Sequence, residues 1–575
     1  MDFAPAEVRC QRRDDGSVVL ESPLPLAPHP PSVTARLAEW AERAPERTFL
    51  AERAPDGAWR RLGYGEAAAS MRALAGGLVA LGLGATRPLA ILSGNSIDHA
   101  LVTLAAMHAA IPVAPISPAY SLMSQDFGKL RAIVGALDPG AIFVQTRAPF
   151  SRALDAVAGD RPILDAASLP SLAGAPDARA AVGPDTIAKI LFTSGSTGAP
   201  KGVVNTQRML TSNQQMIAQL WRFLAARPPV TVDWLPWSHT FGANHNFNMI
   251  LWHGGTLYLD GGKPTPDGIA TTVANLREVS PTIYFNVPRG FDMLLPALER
   301  DGELRARFFA ELDLVFYAAA ALPDALWRRL EAVALRARGE KVTMVSAWGS
   351  TETSPLVTQV HFPIDRAGVI GLPAPGVSLK LAPTGGRHEL RVRGPNVTPG
   401  YWERGGGVRP PALDDEGYLP MGDAGKLADP ARPERGVVFD GRLAENFKLS
   451  SGTWVAVGAL RVACIAACDP LVSDAVVAGH DRDYVALILF AGRALDADAR
   501  ARIKAALAAR NRDAGSSGSS ARVRRVVVAA EPPSIDAGEI TDKGYLNQRA
   551  ILERRAALVE RLYADPPPDD VLVID

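Results

Sequence analysis

The sequence predicts an α/β protein: a large N-terminal domain of layered, largely parallel sheets with a β-rich subdomain, then a small α+β C-terminal domain. Three observations predict it. Helical stretches alternate with short apolar strands up to about residue 400, the pattern of parallel sheets covered by helices. From 380 to 442 the texture turns to strands and turns, as in SLKLAPTGGRHELRVRGPNVTPGYW. At 575 residues the chain exceeds one compact core, and a division into 1–442 and 443–575 leaves a C-terminal domain of ordinary size.

The elements follow in order. After a Pro-rich lead (24–31), SVTARLAEWAERAP has the apolar spacing of an amphipathic helix. GYGEAAASMRALAGGLVALGLG is a second helix that stops at glycines, and RPLAILSGNS is a buried strand and turn. HALVTLAAMHAAIPVAPI (99–116) is a buried helix containing His108, then a strand near IPVAPI. Its histidines and prolines leave it short of the ~20 apolar residues of a membrane span. DFGKLRAIVGALDPGAIFVQT repeats helix then strand, and the theme resumes at TTVANLREVSPTIYFNVP and ALWRRLEAVALRARGEKVTMVSAWGS. Past DGRLAENFK come a helix (ALRVACIAA), two strands (DAVVAGH, DYVALILF) and a helix (ADARARIKAALAAR). A Gly/Ser-rich loop at 511–523, the strand RRVVVAAEPP and a final helix, NQRAILERRAALVERLYAD, complete the chain.

Composition narrows the function. With 61 basic and 61 acidic residues the net charge is +0, which argues against a nucleic-acid binder that works by displacing counterions. Three cysteines cannot form a disulfide framework. Cys464 and Cys468 have no neighbouring histidine and fit core packing rather than zinc. The leading MDFAPAEVRCQRRDD has no apolar signal core. A cytoplasmic protein without membrane insertion is expected, as a monomer or homodimer.

The most informative stretch is IAKILFTSGSTGAPKGVVNT (187–206), where an apolar strand opens into TSGSTGAPKG (193–202). Thr193, Ser194, Ser196 and Thr197 supply hydroxyls, Gly195 and Gly198 allow tight turns that present amides, and Lys201 supplies a point charge. That set suits polyphosphate oxygens. It departs from G-x-x-x-x-G-K-[ST], because Lys201 stands between Pro200 and Gly202. In SAWGSTETSP (346–355), Thr351 can hydrogen-bond a phosphate while Glu352 holds Mg²⁺ against it. GYLPMGD ends in Asp423 and FDGR in Arg442, a carboxylate and a guanidinium suited to ribose hydroxyls and phosphates.

These motifs, with LPWSHTFG (235–242) and the tail ITDKGYLNQRA around Lys543, occur in the order and spacing of the acyl-adenylate-forming ligases, which the chain resembles over nearly its whole length. Within that family, ENFKLSSGTWV (445–455) and the tail look most like the feruloyl-CoA synthases. The resemblance implies an adenylate-forming large domain and a mobile small one. It implies ATP, Mg²⁺ and coenzyme A as co-substrates and cofactor, and a hydroxylated aromatic acid such as ferulate, 4-coumarate or caffeate. Benzoate or a medium-chain fatty acid is the alternative, or loading of a carrier protein.

Residue by residue, the resemblance places residues 193–198 and Lys201 on the ATP phosphates, with Glu352 and Thr197 at Mg²⁺. Trp348 and Gly349 fall beside the adenylate or acyl group, Asp423 and Arg442 at the nucleotide, and His239 at the acid-binding wall. His245, Asn244, Asn246 and Tyr317 are further pocket candidates. Alanines replace the family's glycines in VFYAAAALP (315–323), and Ala444 stands where an Asp or Lys hinge is usual. Lys543 matches the lysine that crosses to the acid and α-phosphate in the first half-reaction. Lys448 lies on the face used in the second.

Overall fold

The computed structural model describes residues 1–173, 181–193, 200–320, 322–513, 518–541 and 544–574. Helices form where the sequence caps them. Ser32 accepts the Ala35 amide (3.1 Å) at the head of Val33–Arg43, and Ser96 accepts that of His99 (3.0 Å) before Ile97–His108. The latter helix is buried all round except at His108, so it sits inside the protein as its unbroken apolar run requires. Tyr64–Ala80 ends just before Gly82, whose φ of +76° few other residues adopt at low cost.

An eight-stranded sheet runs, in spatial order, Gly407–Arg409, Tyr401–Glu403, Lys201–Thr206, Ile187–Thr193, Val113–Pro115, Leu89–Ile91, Ala141–Phe143, Ile163–Leu164. Its last five strands pair in parallel, joined by the helical crossovers that parallel pairing needs. A second parallel set, Ile283–Asn286, Leu314–Tyr317 and Thr343–Gly349, forms one end of an eleven-stranded sheet. Beyond it the pairing is antiparallel, through Leu356–Gln359 and Val369–Pro373 into Val437–Arg442, Leu419–Leu427, Arg387–Arg393 and Ser378–Thr384. The β-rich stretch therefore continues the same sheet, its short turns allowing hairpins where the first half needs helices.

Residues beyond Phe447 have their own apolar cores on a four-stranded sheet, Asp474–Ala478, Val485–Phe490, Val523–Val528 and Val571–Val573. Cys464 and Cys468 are buried and free there, and burial pushes their thiols up, Cys464 to about 11 and Cys468 to about 12. The helix Ala497–Asp513 runs into the stretch expected as a loop, of which residues 514–517 lie outside the described ones. The expected final helix is two, Gln548–Arg554 and Ala556–Tyr563. At the break, Arg555 turns inward to grip both Glu539 oxygens (2.7 Å each) and the carbonyls of Glu531 (2.9 Å) and Pro532 (3.0 Å). Those acceptors lie on a preceding loop, so helical periodicity holds no trace of the break.

Candidate active site

Strands Ile187–Thr193 and Lys201–Thr206 form an antiparallel hairpin with Thr193 opposite Lys201. Ser194, Gly195, Ser196, Thr197 and Gly198 lie outside the described residues. Thr193 and Lys201 thus close a hairpin whose connection carries the hydroxyl- and glycine-rich motif. The Lys201 ammonium lies 5.7 Å from the Tyr401 ring centroid. Burial raises the Tyr401 phenol, and the nearby Glu352 carboxylate raises it further, which sets lysine, phenol and carboxylate around one edge of the sheet.

The strand Thr343–Gly349 delivers the second motif. A Cβ on Gly349 would stand 1.6 Å from the Pro355 carbonyl oxygen, so only glycine lets the chain double back here. Ser350 then caps the single turn Thr351–Thr353, accepting from the Glu352 amide (3.1 Å) and donating to Glu352 Oε2 (2.9 Å). The Glu352 carbonyl accepts from the Thr398 amide at 2.8 Å. Three buried asparagines hold the turn from behind. Asn205 donates to the Thr351 carbonyl (3.4 Å), while Asn213 (3.3 Å) and Asn396 (3.4 Å) donate to that of Thr353. Sequence reasoning missed all three; an asparagine inside apolar GVVNT was the available signal, since buried amides need partners.

Trp348 Nε1 donates to Asp423 Oδ2 at 2.8 Å, and the pairing of Leu419–Leu427 with Val437–Arg442 sets Asp423 opposite Arg442. The Arg442 Nε lies 3.8 Å from Asp423 Oδ1, with its guanidinium largely exposed and also 3.6 Å from Glu445. Burial pushes the Asp423 carboxyl up, opposed by the Trp348 hydrogen bond and the Arg442 charge. The result is a carboxylate with one oxygen committed and the other facing a cation, fit to accept from a vicinal diol. In VFYAAAALP, Ala319 adopts φ +72°, a left-handed backbone that costs alanine about 1 kcal/mol and glycine nothing.

The third motif, LPWSHTFGANHNFN, coils into a π-helix, Phe241–Phe247, with half-buried His239 just before it. π-Turns are rare and gather at functional sites. Gly242 is needed because a Cβ would lie 2.4 Å from the Leu235 carbonyl oxygen. Inside the turn runs a polar chain: Asn246 Nδ2 donates to Asp233 Oδ2 (2.8 Å), and Asn246 Oδ1 faces His245 Nδ1 (2.9 Å). Burial pushes the Asp233 carboxyl up to about 7; its ionised form only accepts and so turns the Asn246 amide nitrogen toward it, leaving the amide oxygen to accept the imidazole proton on Nδ1. Burial lowers the imidazole to about 4, so it is neutral at pH 7 with Nε2 as a bare acceptor. That Nε2 is buried and has no partner among the described residues. Around it stand Phe316, Phe285 and Phe241, with ring centroids 5.0, 5.6 and 5.8 Å from the imidazole. Tyr317 points the other way, against Trp327 (6.0 Å), because alternate residues of a strand face opposite sides; Phe316 takes the place considered for it.

Of the two lysines, Lys448 is exposed on a short hairpin with its ammonium 5.1 Å from the Trp454 ring. Lys543 lies outside the described residues. Its flanks are ordered: Gly544 N donates to the Thr541 carbonyl (2.9 Å) and Thr541 N to that of Tyr545 (2.8 Å). Just before them, Asp536 reaches the large domain, accepting from Ser124 Oγ (2.6 Å) and the Gln125 amide (3.0 Å), while Lys129 donates to the Ile535 carbonyl (2.9 Å).

Burial alone would raise the Asp536 carboxyl, but the bonds from Ser124 and Gln125 hold it below its ordinary value. The contact is therefore at full strength above the ordinary carboxylate value of about 3.9 and weakens as pH falls through the lowered one. Asp536→Asn, or acidification of the wild type, is expected to lower the amide protection factors of 124–129 and 534–541, each taken against the intrinsic exchange rate at the same pH. Protection factors unchanged in both refute the latch.

Among the described residues no three His, Cys, Asp or Glu side chains gather as a metal cage. Glu352 alone, with one oxygen engaged by Ser350, fits Mg²⁺, which commonly takes one or two carboxylates and completes its shell with substrate phosphates and water. Among the described residues no helix is long and apolar enough to cross a membrane.

The chain matches known proteins over most of its length. Residues 37–402 match the AMP-binding enzyme family and residues 453–566 the AMP-binding enzyme C-terminal domain. The long-chain-fatty-acid–CoA ligase FadD15 of Mycobacterium bovis is 25% identical over 602 residues, spanning 91% of this chain and 95% of its own. The probable CoA ligase CCL8 of Humulus lupulus is 25% identical over 52% of this chain, and the match spans about half (49%) of that relative. Among solved structures, ATP-bound MatB from Rhodopseudomonas palustris superposes with a TM-score of 0.68 at 23% identity, covering 92% of this chain and 99% of its own.

Proposed function

The chain belongs to the AMP-binding enzyme family, and from that premise we propose that it activates a ring-hydroxylated cinnamic acid and transfers it to coenzyme A. Ferulate is the foremost substrate, with 4-coumarate and caffeate beside it. The observation that carries the choice of acid is His245: a buried, neutral imidazole with an unpartnered acceptor nitrogen among three phenylalanines. Such a site favours a flat ring bearing a hydroxyl donor. It penalises an alkyl chain that would leave the nitrogen unpaired, by about 1–3 kcal/mol.

The reaction has two halves. A carboxylate oxygen of the acid attacks the α-phosphorus of ATP as the bond to pyrophosphate breaks; the thiolate of coenzyme A then attacks the acyl carbon and AMP leaves. The first half brings an anion to a polyanion, so its barrier is electrostatic. In this reading the hydroxyls and amides of 193–198, with Lys201, hold the phosphates, and Thr351 bonds the α-phosphate. Asp423 and Arg442 take the ribose, His239 walls the acid, and Mg²⁺, where Glu352 and Thr197 would hold it, supplies charge neutralisation. Lys543 approaches for adenylation; rotation of residues 443–575 past Ala444 then withdraws it and brings the Lys448 face to the thiol.

The test is a panel of cinnamates, benzoates and fatty acids, read by coenzyme A-dependent release of AMP and pyrophosphate. Ferulate, 4-coumarate and caffeate are expected to show the highest kcat/KM, with cinnamate at least about tenfold lower. His245→Phe is expected to erase most of the gap between 4-coumarate and cinnamate. Fatty acids turning over while ferulate and 4-coumarate fail overturns the choice of acid, and acyl-AMP consumed by a carrier protein but not by coenzyme A overturns the choice of thiol.

A further inference from the structure

Lys189 sits in mid-strand in Ile187–Thr193, 2% exposed. Lysines are almost never fully buried unless paired. This one donates to a neutral acceptor, Asn244 Oδ1 at 3.2 Å. Burial lowers its ammonium to about 7. An apolar side chain of similar volume would serve folding at least as well, so stability does not account for the charge.

The ammonium's partners do. Asn244 Nδ2 donates onward to Asn205 Oδ1 at 2.7 Å, and Asn205 Nδ2 donates to the Thr351 carbonyl at 3.4 Å. Asn205 is also the cross-strand neighbour of Lys189. A carboxamide turned end for end exchanges its donor and acceptor, so a chain of two amides has two opposite polarities. An ammonium can only donate. It obliges Asn244 to present oxygen to it and nitrogen to Asn205, and so obliges Asn205 to present nitrogen to Thr351. Without it, the chain can reverse and set an amide oxygen against the Thr351 carbonyl.

We propose that Lys189 is a positioning residue for adenylation: through Asn244 and Asn205 it fixes the polarity of the bonds that hold the Thr351–Glu352 turn toward the phosphates. This rests on the function proposed above. A deprotonated amine both donates and accepts, so the device weakens as Lys189 loses its proton. The titratable side chain that faces it is His99, which burial holds at about 4, silent near neutrality; its neighbours on the flanking strands and the π-turn, Val113, Asn205 and Asn244, do not titrate.

The experiment compares wild type, Lys189→Met and Asn205→Asp in the full chain. Asn205→Asp keeps the ammonium but removes the donor to Thr351. Each protein is assayed for pyrophosphate release, for thioester formation from supplied acyl-AMP, and for the adenylation rate from pH 6 to 9. Both variants are expected to lose at least about tenfold in adenylation kcat, with the KM for the acid and the thioester step within about threefold of wild type. Lys189→Met is expected to lose the limb near neutrality that the wild type shows.

Unchanged adenylation in Lys189→Met, or parallel loss of both half-reactions in the variants, overturns the proposal. Should Lys189→Met fail to fold, Asn205→Asp decides by the same criteria. A wild type that adenylates no acid in the panel overturns the proposed function and this inference with it, whereas an active wild type with indifferent variants overturns this inference alone.

Discussion

Lys543→Ala is expected to lower pyrophosphate release by about 10²–10³-fold, the scale of removing one oriented charge from a developing anion. Thioester formation from supplied acyl-AMP should stay within a few-fold of wild type. The asymmetry follows from when the charge is needed. Adenylation forces a carboxylate against a triphosphate, while thioester formation expels AMP from an intermediate already made. A lysine left in place would crowd the thiol's approach, so the proposed mechanism requires it to leave. The two half-reactions assayed separately decide the matter, and equal loss in both would sink the account of two alternating faces.

Gly349→Ala is expected to be nearly as damaging by a different route. The added Cβ would stand 1.6 Å from the Pro355 oxygen, a backbone atom that no rotamer change can move aside. Strand Thr343–Gly349 would have to separate from the returning chain, at about 3 kcal/mol or more. The same shift displaces Thr351 and Glu352, so activity and thermal stability should fall together. An alanine variant of wild-type stability would show that the close approach is not kept in solution.

The motif turns were legible in one sequence because unusual residue types gather there: Thr351 and Glu352 stand out in SAWGSTETSP. The close backbone approach at Gly349 and the capping by Ser350 were not foreseen, since they depend on where the returning chain passes. The fold class was also legible: helices alternating with apolar strands leave parallel pairing as the solution for the first half.

What was hidden is non-local. Asn205 meets Thr351, and Asp233 meets Asn246 and through it His245, across gaps that only the folded sheet closes. In the sequence, Lys189 and Asn205 look like blemishes in apolar strands. The break in the final helix was equally invisible, since Arg555 finds its acceptors on the loop before the helix. Merging of the β-rich stretch with the parallel strands in one sheet depends on pairings such as Thr358 with Pro373, which periodicity does not encode.

The inward turn of Arg555 has a mechanical consequence. Its guanidinium grips Glu539, whose carbonyl also accepts the Asn547 amide at 2.8 Å, so the chain on both sides of the lysine motif is tied together and to the loop at Glu531 and Pro532. A lysine carried on a loose tail would sample a large volume and meet the phosphates at low effective molarity. On the proposed mechanism, flanks braced in this way leave less ordering entropy to be lost when Lys543 reaches the phosphates. Movement of residues 443–575 would then deliver or remove its charge.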